Sequence, residues 1–452
     1  MIGSGIFIVS SDIARNVGSA GWLIVVWLIS GFITLSAALS YGELSGMYPK
    51  AGGQYVYLRE AFGKLYGFLY GWAFFAAIQT GTIAAVGVAF AKFTGYFFPA
   101  LGESNILLGS AEGFSISAAQ LVGIGMIGLL TYINSRGVEN GKWIQFFFTF
   151  TKIAALVALV GFGLFLYREG STWDMNWADA WSAMKINISE GLISTETLAG
   201  SALTAAIGVA MVGALFSSDA WNNVTFIAGE IKKPERNIAL SLFIGTLVVT
   251  VLYTCMNLMY LNTLTINEIA NAPADRVGVA AALKIFTGTG AGIIAGLLMI
   301  STFGCNNGLI LSGARVYYTM ANDGLFIPSA GKLNDKGVPG TALRMQFVWA
   351  SVLCLSGSYG QLLDYLVFTA LLFYILTIAG LFKLRRTQQD TPRPYKAFGY
   401  PLIPALYIVL ASAICIILLV NKTATAGMGL LIVLLGVPIY YYLNKRGFKK
   451  ND

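Results

Sequence analysis

The chain has 452 residues, of which 56% are hydrophobic and only 11% are charged, so it cannot be a soluble globular protein with an ordinary surface. This length allows about a dozen membrane-spanning helices of roughly 20 residues each. There is no histidine, and the four cysteines lie in apolar segments. We therefore expect buried thiols, with no disulfide framework, no metal site and no cofactor. The net charge of +8 is spread over loops, so it does not indicate a nucleic-acid-binding domain.

In chain order, the hydropathy pattern predicts an all-α membrane protein with twelve spans, whose first helix lacks its N-terminal half. This truncation follows because the first apolar run begins directly at Gly3-Ser4-Gly5. We divide the chain into helices one to five at 1–167, an extracellular loop at 168–201, helices six to ten at 202–384, helices eleven and twelve at 401–443, and a cytoplasmic tail at 444–452.

The orientation follows from the lysines and arginines between the predicted spans. The tail and the loops that follow even-numbered helices hold 21 of these residues, whereas the opposite side holds seven. Basic residues concentrate on the cytoplasmic side of membrane proteins. We therefore predict a multi-pass protein of the cell (inner) membrane with a cytoplasmic C-terminus.

Two predicted helices are interrupted by small polar residues. The first interruption is Gly3-Ser4-Gly5, and the second is Phe216–Asn223, which follows an uncharged apolar run. Ser, Asp and Asn compete with the helical backbone through their own side chains. A broken helix at membrane depth is tolerated only where it is buried in protein or lines a wet cavity. Two such breaks, one at the head of each half, are typical of a transporter.

The freed backbone groups at these breaks suit a zwitterion. N–H groups at a half-helix N-terminus attract a carboxylate, and carbonyls at a half-helix C-terminus attract an ammonium group. Gly3 and Gly5 would let the backbone approach a ligand closely, because glycine has no Cβ. The alternative for Gly3-Ser4-Gly5 is a small-residue packing contact between helices. The pair of breaks favours an amino acid site.

Lys152 lies inside the apolar run Phe146–Phe165. A cation at mid-span is costly unless it is paired or held by carbonyl groups, so it is functional by default. The alternative is a lysine that extends to the interface, but its depth argues against this. We predict that its ammonium group replaces a bound sodium ion and bridges Gly3 to the hydroxyl of Ser301 or Thr302.

Asp219 lies inside the second break, where three roles are open. It could select cationic side chains, neutralise a substrate ammonium group, or cap the second half-helix. Capping is the simplest interpretation. Glu230 begins the charged segment Glu230–Arg236, and we expect it to form an ion pair on the gate side.

These motifs resemble those of the amino acid–polyamine–organocation superfamily, and most closely its L-type amino acid transporter family with the bacterial serine/threonine-exchanger-like members. The resemblance covers nearly the whole chain. It rests on Gly3–Phe7, Phe216–Trp221, Gly229–Arg236, Arg393–Lys396 and Gly399–Pro401.

This resemblance implies a LeuT-type inverted repeat of five plus five helices with two additional helices. It also implies that Lys152 replaces a sodium site, and we assign Ser301 to the same site. Phe216 is the predicted gate. The predicted substrate contacts are Gly3, Ser4, Gly5, Phe216, Ser217, Ser218 and Asp219. Animal relatives bind an ancillary glycoprotein through a cysteine after helix three; residues 99–114 contain none, so we expect no such partner.

We predict a sodium-independent exchanger of neutral L-amino acids that works by alternating access. The main alternative is a proton-coupled or facilitative uptake carrier, which could accept cationic amino acids. A membrane enzyme would need two convergent ionisable groups, and Lys152 with Asp219 is the only candidate pair. A non-transporting receptor or scaffold gives no reason for two broken helices.

Overall fold

The structure is a computed structural model that describes residues 1–109, 115–137, 139–167, 170–189, 192–286, 288–356 and 359–446. The predicted tail therefore lies outside the described residues from position 447 onward. The α-helices are α1 Gly5–Val17, α2 Ala20–Met47, α3 Gln54–Phe62, α4 Lys64–Ala73, α5 Gln79–Phe97, α6 Ala118–Ser135, α7 Glu139–Gly161, α8 Gly170–Ala178, α9 Gly200–Ser218, α10 Pro234–Thr263, α11 Ile266–Ala270, α12 Val277–Ile285, α13 Gly288–Asn322, α14 Gly340–Ser356, α15 Tyr359–Thr387, α16 Leu402–Asn421 and α17 Thr423–Arg446. The strands are β1 Ile106–Gly109, β2 Ser115–Ser117, β3 Met184–Ser189 and β4 Leu192–Thr197.

The helices confirm an all-α membrane architecture. In the described ranges, ten segments are long and apolar enough to cross a membrane, and one of them joins α4 and α5 through a π-helical turn at Phe74–Ile78. The other two predicted spans correspond to α1, with 13 residues, and α14, with 17. Both are shorter than the roughly 20 residues that cross a bilayer core, so the count of twelve spans stays a prediction.

The helices pack in pairs across the two halves of the chain. α1 packs on α9, α2 on α10, α5 on α13, and α6 on α14. Each pair joins one of the predicted helices one to four to its counterpart among helices six to nine. The division into two inverted repeats itself stays a prediction.

Large apolar side chains cover the outside of the bundle. Phe165 of one span and Leu402 and Val420 of another are each more than 70% exposed. A water-soluble protein of this size would bury such residues. The exposed apolar faces are therefore those expected to contact lipid.

The segment at 168–201 that we predicted to be an extracellular loop between spans contains regular structure. It holds α8 and the antiparallel hairpin β3–β4. Gly18 ends α1 in a left-handed conformation, and a Cβ there would lie 2.2 Å from the Met184 carbonyl oxygen. The hairpin therefore covers the end of α1, and only glycine permits this contact.

Candidate substrate site

The chain enters α1 in close contact with two other helices. A Cβ at Gly5 would lie 2.8 Å from the Cα of Ser217 on α9, and one at Gly3 would lie 2.8 Å from the Sγ of Cys305 on α13. Gly5 is thus required by helix packing, which was the alternative considered for this motif, whereas a Cβ at Gly3 would displace the Cys305 side chain. The same close approach brings the start of α1 against the end of α9.

The second break begins where α9 ends at Ser218. Ala220 adopts a left-handed conformation with φ of 61°, which costs a residue with a Cβ about 1–2 kcal/mol. Trp221–Thr225 and Ala228–Glu230 then form 3-10 turns before α10 begins. The break is confirmed, but the half-helix predicted after it is wrong, because only short turns follow.

A small cavity lies between the two breaks. Six of the seven predicted substrate residues line it, and Ser218 is buried beside them without lining it. The lining also includes Thr82 and Val86 from α5 and Leu309 from α13. The cavity offers about 20 Å³, which is room for one water molecule. An amino acid therefore enters only when these walls move apart.

An aromatic pair separates this cavity from a much larger vestibule. The rings of Phe216 and Tyr359 meet edge to face with centroids 6.0 Å apart, and the Tyr359 hydroxyl lies 3.4 Å from Ser4 Oγ. Tyr359 also lines the vestibule, whose volume is about 890 Å³. Phe216 and Tyr359 thus lie between the cavity and the vestibule. The gate role of Phe216 stays a prediction, and Tyr359 is a neighbour that the sequence did not indicate.

Lys152 contacts the first turn of the chain, but not through the predicted groups. Its Nζ donates to the Ile2 carbonyl oxygen at 3.1 Å, and the side chain is buried. The predicted partners, Gly3 and Ser301, are therefore wrong. Ser301 Oγ is buried and has no hydrogen-bond partner in the described part of the chain. The ammonium group ties α7 to the entry of α1 without a bond to α13.

Two tyrosines on α10 donate hydrogen bonds to backbone carbonyl groups at the start of α1 and the end of α9. Tyr253 Oη on α10 lies 3.1 Å from the carbonyl oxygens of both Met1 and Ser217, and Tyr260 Oη donates to the Ile6 carbonyl oxygen at 3.1 Å. Because one hydroxyl donates one proton, Met1 and Ser217 share Tyr253. This tyrosine therefore links the two breaks directly.

Asp219 binds a distant helix and does not act as the predicted cap. Its Oδ1 accepts a hydrogen bond of 2.6 Å from Tyr374 Oη on α15. The N-cap residue of the following 3-10 turn is Ala220, and no side chain caps that turn. The carboxylate borders the cavity while one of its oxygens is occupied by a neutral donor.

On the side of the cavity away from the vestibule, polar side chains close the bundle. Asn222 Nδ2 donates to Gln54 at 3.2 Å, and Asn223 Nδ2 donates to Ser312 at 3.1 Å. Further out, Arg315 and Glu230 form an ion pair at 2.8 Å, which confirms the ion pair predicted for Glu230. More layers of side-chain contacts therefore close the cavity on this side than on the vestibule side.

An ionic cluster lines the vestibule beside α1. Asp275 pairs with Arg15 on α1 at 2.9 Å and with Lys92 on α5 at 3.3 Å, and Lys92 also reaches Glu103 at 3.7 Å. Burial opposes the ionisation of Asp275, but Lys92 and Arg15 outweigh it, so the pKa of this carboxyl lies below its ordinary value. The cluster joins the connection between α11 and α12 to both walls of the vestibule.

Sequence reasoning missed the tyrosines at positions 253, 359 and 374. Each lies in an apolar helix, where a tyrosine is ordinarily a core residue. The available signal was the phenolic hydroxyl, which needs a hydrogen-bond partner when it is buried. Which partner it finds depends on how the helices pack.

Comparisons with known proteins agree with this geometry. The sequence pattern of the family described as amino acid permease matches residues 1–438. The serine/threonine exchanger SteT of Bacillus subtilis (strain 168) is 28% identical over 450 residues, covering 99% of this chain and 94% of that protein. The human large neutral amino acids transporter small subunit 2 is 29% identical over 450 residues, with 98% of this chain and 77% of that protein covered.

A third relative is the b(0,+)-type amino acid transporter 1 of Mus musculus, which is 26% identical over 446 residues, with 98% of this chain and 84% of that protein covered. These matches extend over both helix breaks, the cavity between them and the vestibule. Because the family and these relatives are transporters, the matches exclude an enzyme or a scaffold as the class of this protein. The chain belongs to the amino acid permease family, within the amino acid–polyamine–organocation superfamily, and is a membrane transporter of amino acids.

Proposed function

We propose that this transporter exchanges neutral L-amino acids across the cell (inner) membrane without sodium, by alternating access between the two helix breaks. The substrate would lie between Gly3-Ser4-Gly5 and Phe216–Asp219. The observation that carries the proposal is the ammonium group of Lys152 on the Ile2 carbonyl oxygen. It places a covalently attached cation at the helix-one break.

Sodium independence follows from this contact. A bound sodium ion would serve by linking carbonyl oxygens of the broken helix to a neighbouring helix. The lysine already supplies a positive charge to one such carbonyl, and a second cation nearby would be repelled.

The preference for neutral side chains rests on the lining of the cavity. Ser4, Ser217 and Thr82 are uncharged, and Phe216 supplies an apolar wall. Asp219 is the acidic residue there, and Tyr374 occupies one of its oxygens. The names of the relatives support both parts of the proposal, since one is an exchanger of serine and threonine and another carries large neutral amino acids.

A panel of amino acids in proteoliposomes tests the proposal. Purified protein is reconstituted, and uptake of each labelled amino acid is measured with and without sodium, an inward pH gradient and internal amino acid. An exchanger accumulates label only when amino acid is present inside, and here sodium should change nothing. Uptake that needs no internal substrate and rises with the pH gradient would refute exchange in favour of proton coupling.

The alternative is a proton-coupled or facilitative carrier that accepts cationic amino acids. It is favoured by Asp219, which borders the cavity and has no lysine or arginine partner within the described ranges. A cationic side chain could replace Tyr374 as its partner. Strong uptake of arginine or lysine in the same panel would support this alternative.

We further propose a cytoplasmic C-terminus, from the distribution of basic residues, and function without a disulfide-linked ancillary subunit. The four cysteines at positions 255, 305, 354 and 415 are free thiols in helices. None of them lies in the connection after α5, at 99–114. Full exchange by the purified single chain would agree with this, and exchange that requires an added partner would contradict it.

A further inference from the structure

An apolar groove of about 880 Å³ runs along the bundle, apart from the substrate cavity, between α2, α10 and the segment that leads into α16. Phe32, Leu240, Phe243 and Phe398 line it and are 41%, 48%, 39% and 68% exposed. From Arg236 to Phe243 the groove follows α10 for eight residues, a rise of about 10 Å. It therefore extends from the end of a membrane span into its apolar part.

A buried carboxylate holds one wall of this groove in place. Glu43 on α2 is fully buried and accepts hydrogen bonds from Arg385 at 2.5 and 2.9 Å and from the Ala397 backbone N–H at 2.7 Å. The Tyr395 ring packs directly on Gly42, where a Cβ would lie 2.9 Å from the ring. Breaking a buried ion pair of this kind is strongly destabilising. The groove is thus a fixed feature of the fold.

Four basic residues line the groove or lie within three positions of a lining residue in the sequence, and we call them the basic rim. Arg236 lines the groove, Lys396 follows the lining residue Tyr395, and Lys232 and Lys233 precede α10. All four side chains are exposed, and none forms an ion pair within the described residues. Glu235 is the one acidic residue that lines the groove.

We propose that this groove binds a membrane phospholipid, with an acyl chain between α2 and α10 and an anionic headgroup at the basic rim. The apolar walls exclude a polar ligand, and lipid is the apolar partner that surrounds a membrane span. Arg236 lines the groove beside Glu235, and the exposed Lys232, Lys233 and Lys396 lie close to lining residues in the sequence, so a negative headgroup is favoured over a zwitterionic one. Basic clusters at the membrane surface recognise anionic lipids in this way.

Native mass spectrometry of the purified full chain tests this, with phosphatidylglycerol and phosphatidylcholine of identical acyl chains as the two probes. The parent should retain phosphatidylglycerol more strongly. Arg236→Gln combined with Lys396→Gln should weaken its binding about fivefold for each charge removed. The matched control combines Lys64→Gln with Lys332→Gln, two exposed lysines outside the groove. It should leave binding unchanged.

A groove-filling variant separates the acyl chain from the headgroup. Leu240→Trp at this exposed position should weaken both lipids, and the monodispersity of each variant on size exclusion reports that it is folded. Equal phosphatidylglycerol binding by the groove and control pairs would overturn the proposal. A dimer in the parent that Leu240→Trp dissociates would also overturn it, because a second copy of the chain would then occupy the groove.

Discussion

Replacing Lys152 with methionine tests the central feature of the site. Methionine fills a similar volume without the charge, so the change removes the 3.1 Å bond to the Ile2 carbonyl oxygen and leaves that oxygen unpaired. A hydrogen bond to a charged group contributes about 1.5–3 kcal/mol. The balance between the state with this contact and a state without it should therefore shift roughly 10- to 150-fold.

The assay is counterflow in proteoliposomes with a neutral amino acid. The exchange rate of Lys152→Met should fall about tenfold or more, while the half-saturating concentration changes by less than about threefold, because the lysine does not line the cavity. Lys284→Met is the matched control. It removes an exposed lysine that pairs with Glu268 at 2.7 Å, and such pairs contribute about 0–1 kcal/mol.

Two results would refute this reasoning. One is unchanged exchange by Lys152→Met at equal protein incorporation. The other is parent uptake that rises steeply with sodium, since the lysine would then not take the place of that ion. A loss of exchange in Lys284→Met of the same size would instead assign the effect to a general sensitivity to lost lysines.

Three other outcomes are expected. Phe216→Ala removes the ring that meets Tyr359, so exchange should fall sharply with normal membrane insertion, and normal exchange would remove Phe216 from the gate. Asp219→Asn keeps an acceptor for Tyr374; neutral exchange should stay within about tenfold of the parent, and strong arginine uptake by the parent would contradict the neutral preference. Asp275→Asn should lower the free energy of unfolding of the detergent-solubilised protein by roughly 1–3 kcal/mol, because Lys92 and Arg15 lose their partner. Thermal denaturation measures this difference. Since the pKa of Asp275 is lowered, this difference should persist from neutral pH down to about 4 and vanish at lower pH; a difference already lost near pH 6 would contradict it.

The sequence alone determined the class of the protein, the start of α1 and the position of the helix break after α9. Both positions depend on local chemistry: Gly3-Ser4-Gly5 and Ser217-Ser218-Asp219 place small polar residues beside apolar runs, and such residues interrupt helices wherever the helices pack. Lys152 was identifiable for the same reason, because a charge within an apolar span needs a partner whichever group supplies it.

Tertiary structure decided which groups these residues contact. Lys152 bonds to Ile2 and not to Gly3 or Ser301, a difference of one residue along the chain that depends on how α7 is rotated and placed against α1. Asp219 binds Tyr374, 155 positions away, because α15 packs on α9. The sequence contains no signal for that contact.

The segment after the second break shows the same limit. Its composition permits a helix, but Ala220 adopts a left-handed conformation and 3-10 turns follow, because Asn222 and Asn223 are held by Gln54 and Ser312 on other helices. Local propensity is worth less than 1 kcal/mol per residue for ordinary residues, so a few tertiary hydrogen bonds outweigh it. The sequence therefore determined where the helices break, and packing determined what the broken ends bind.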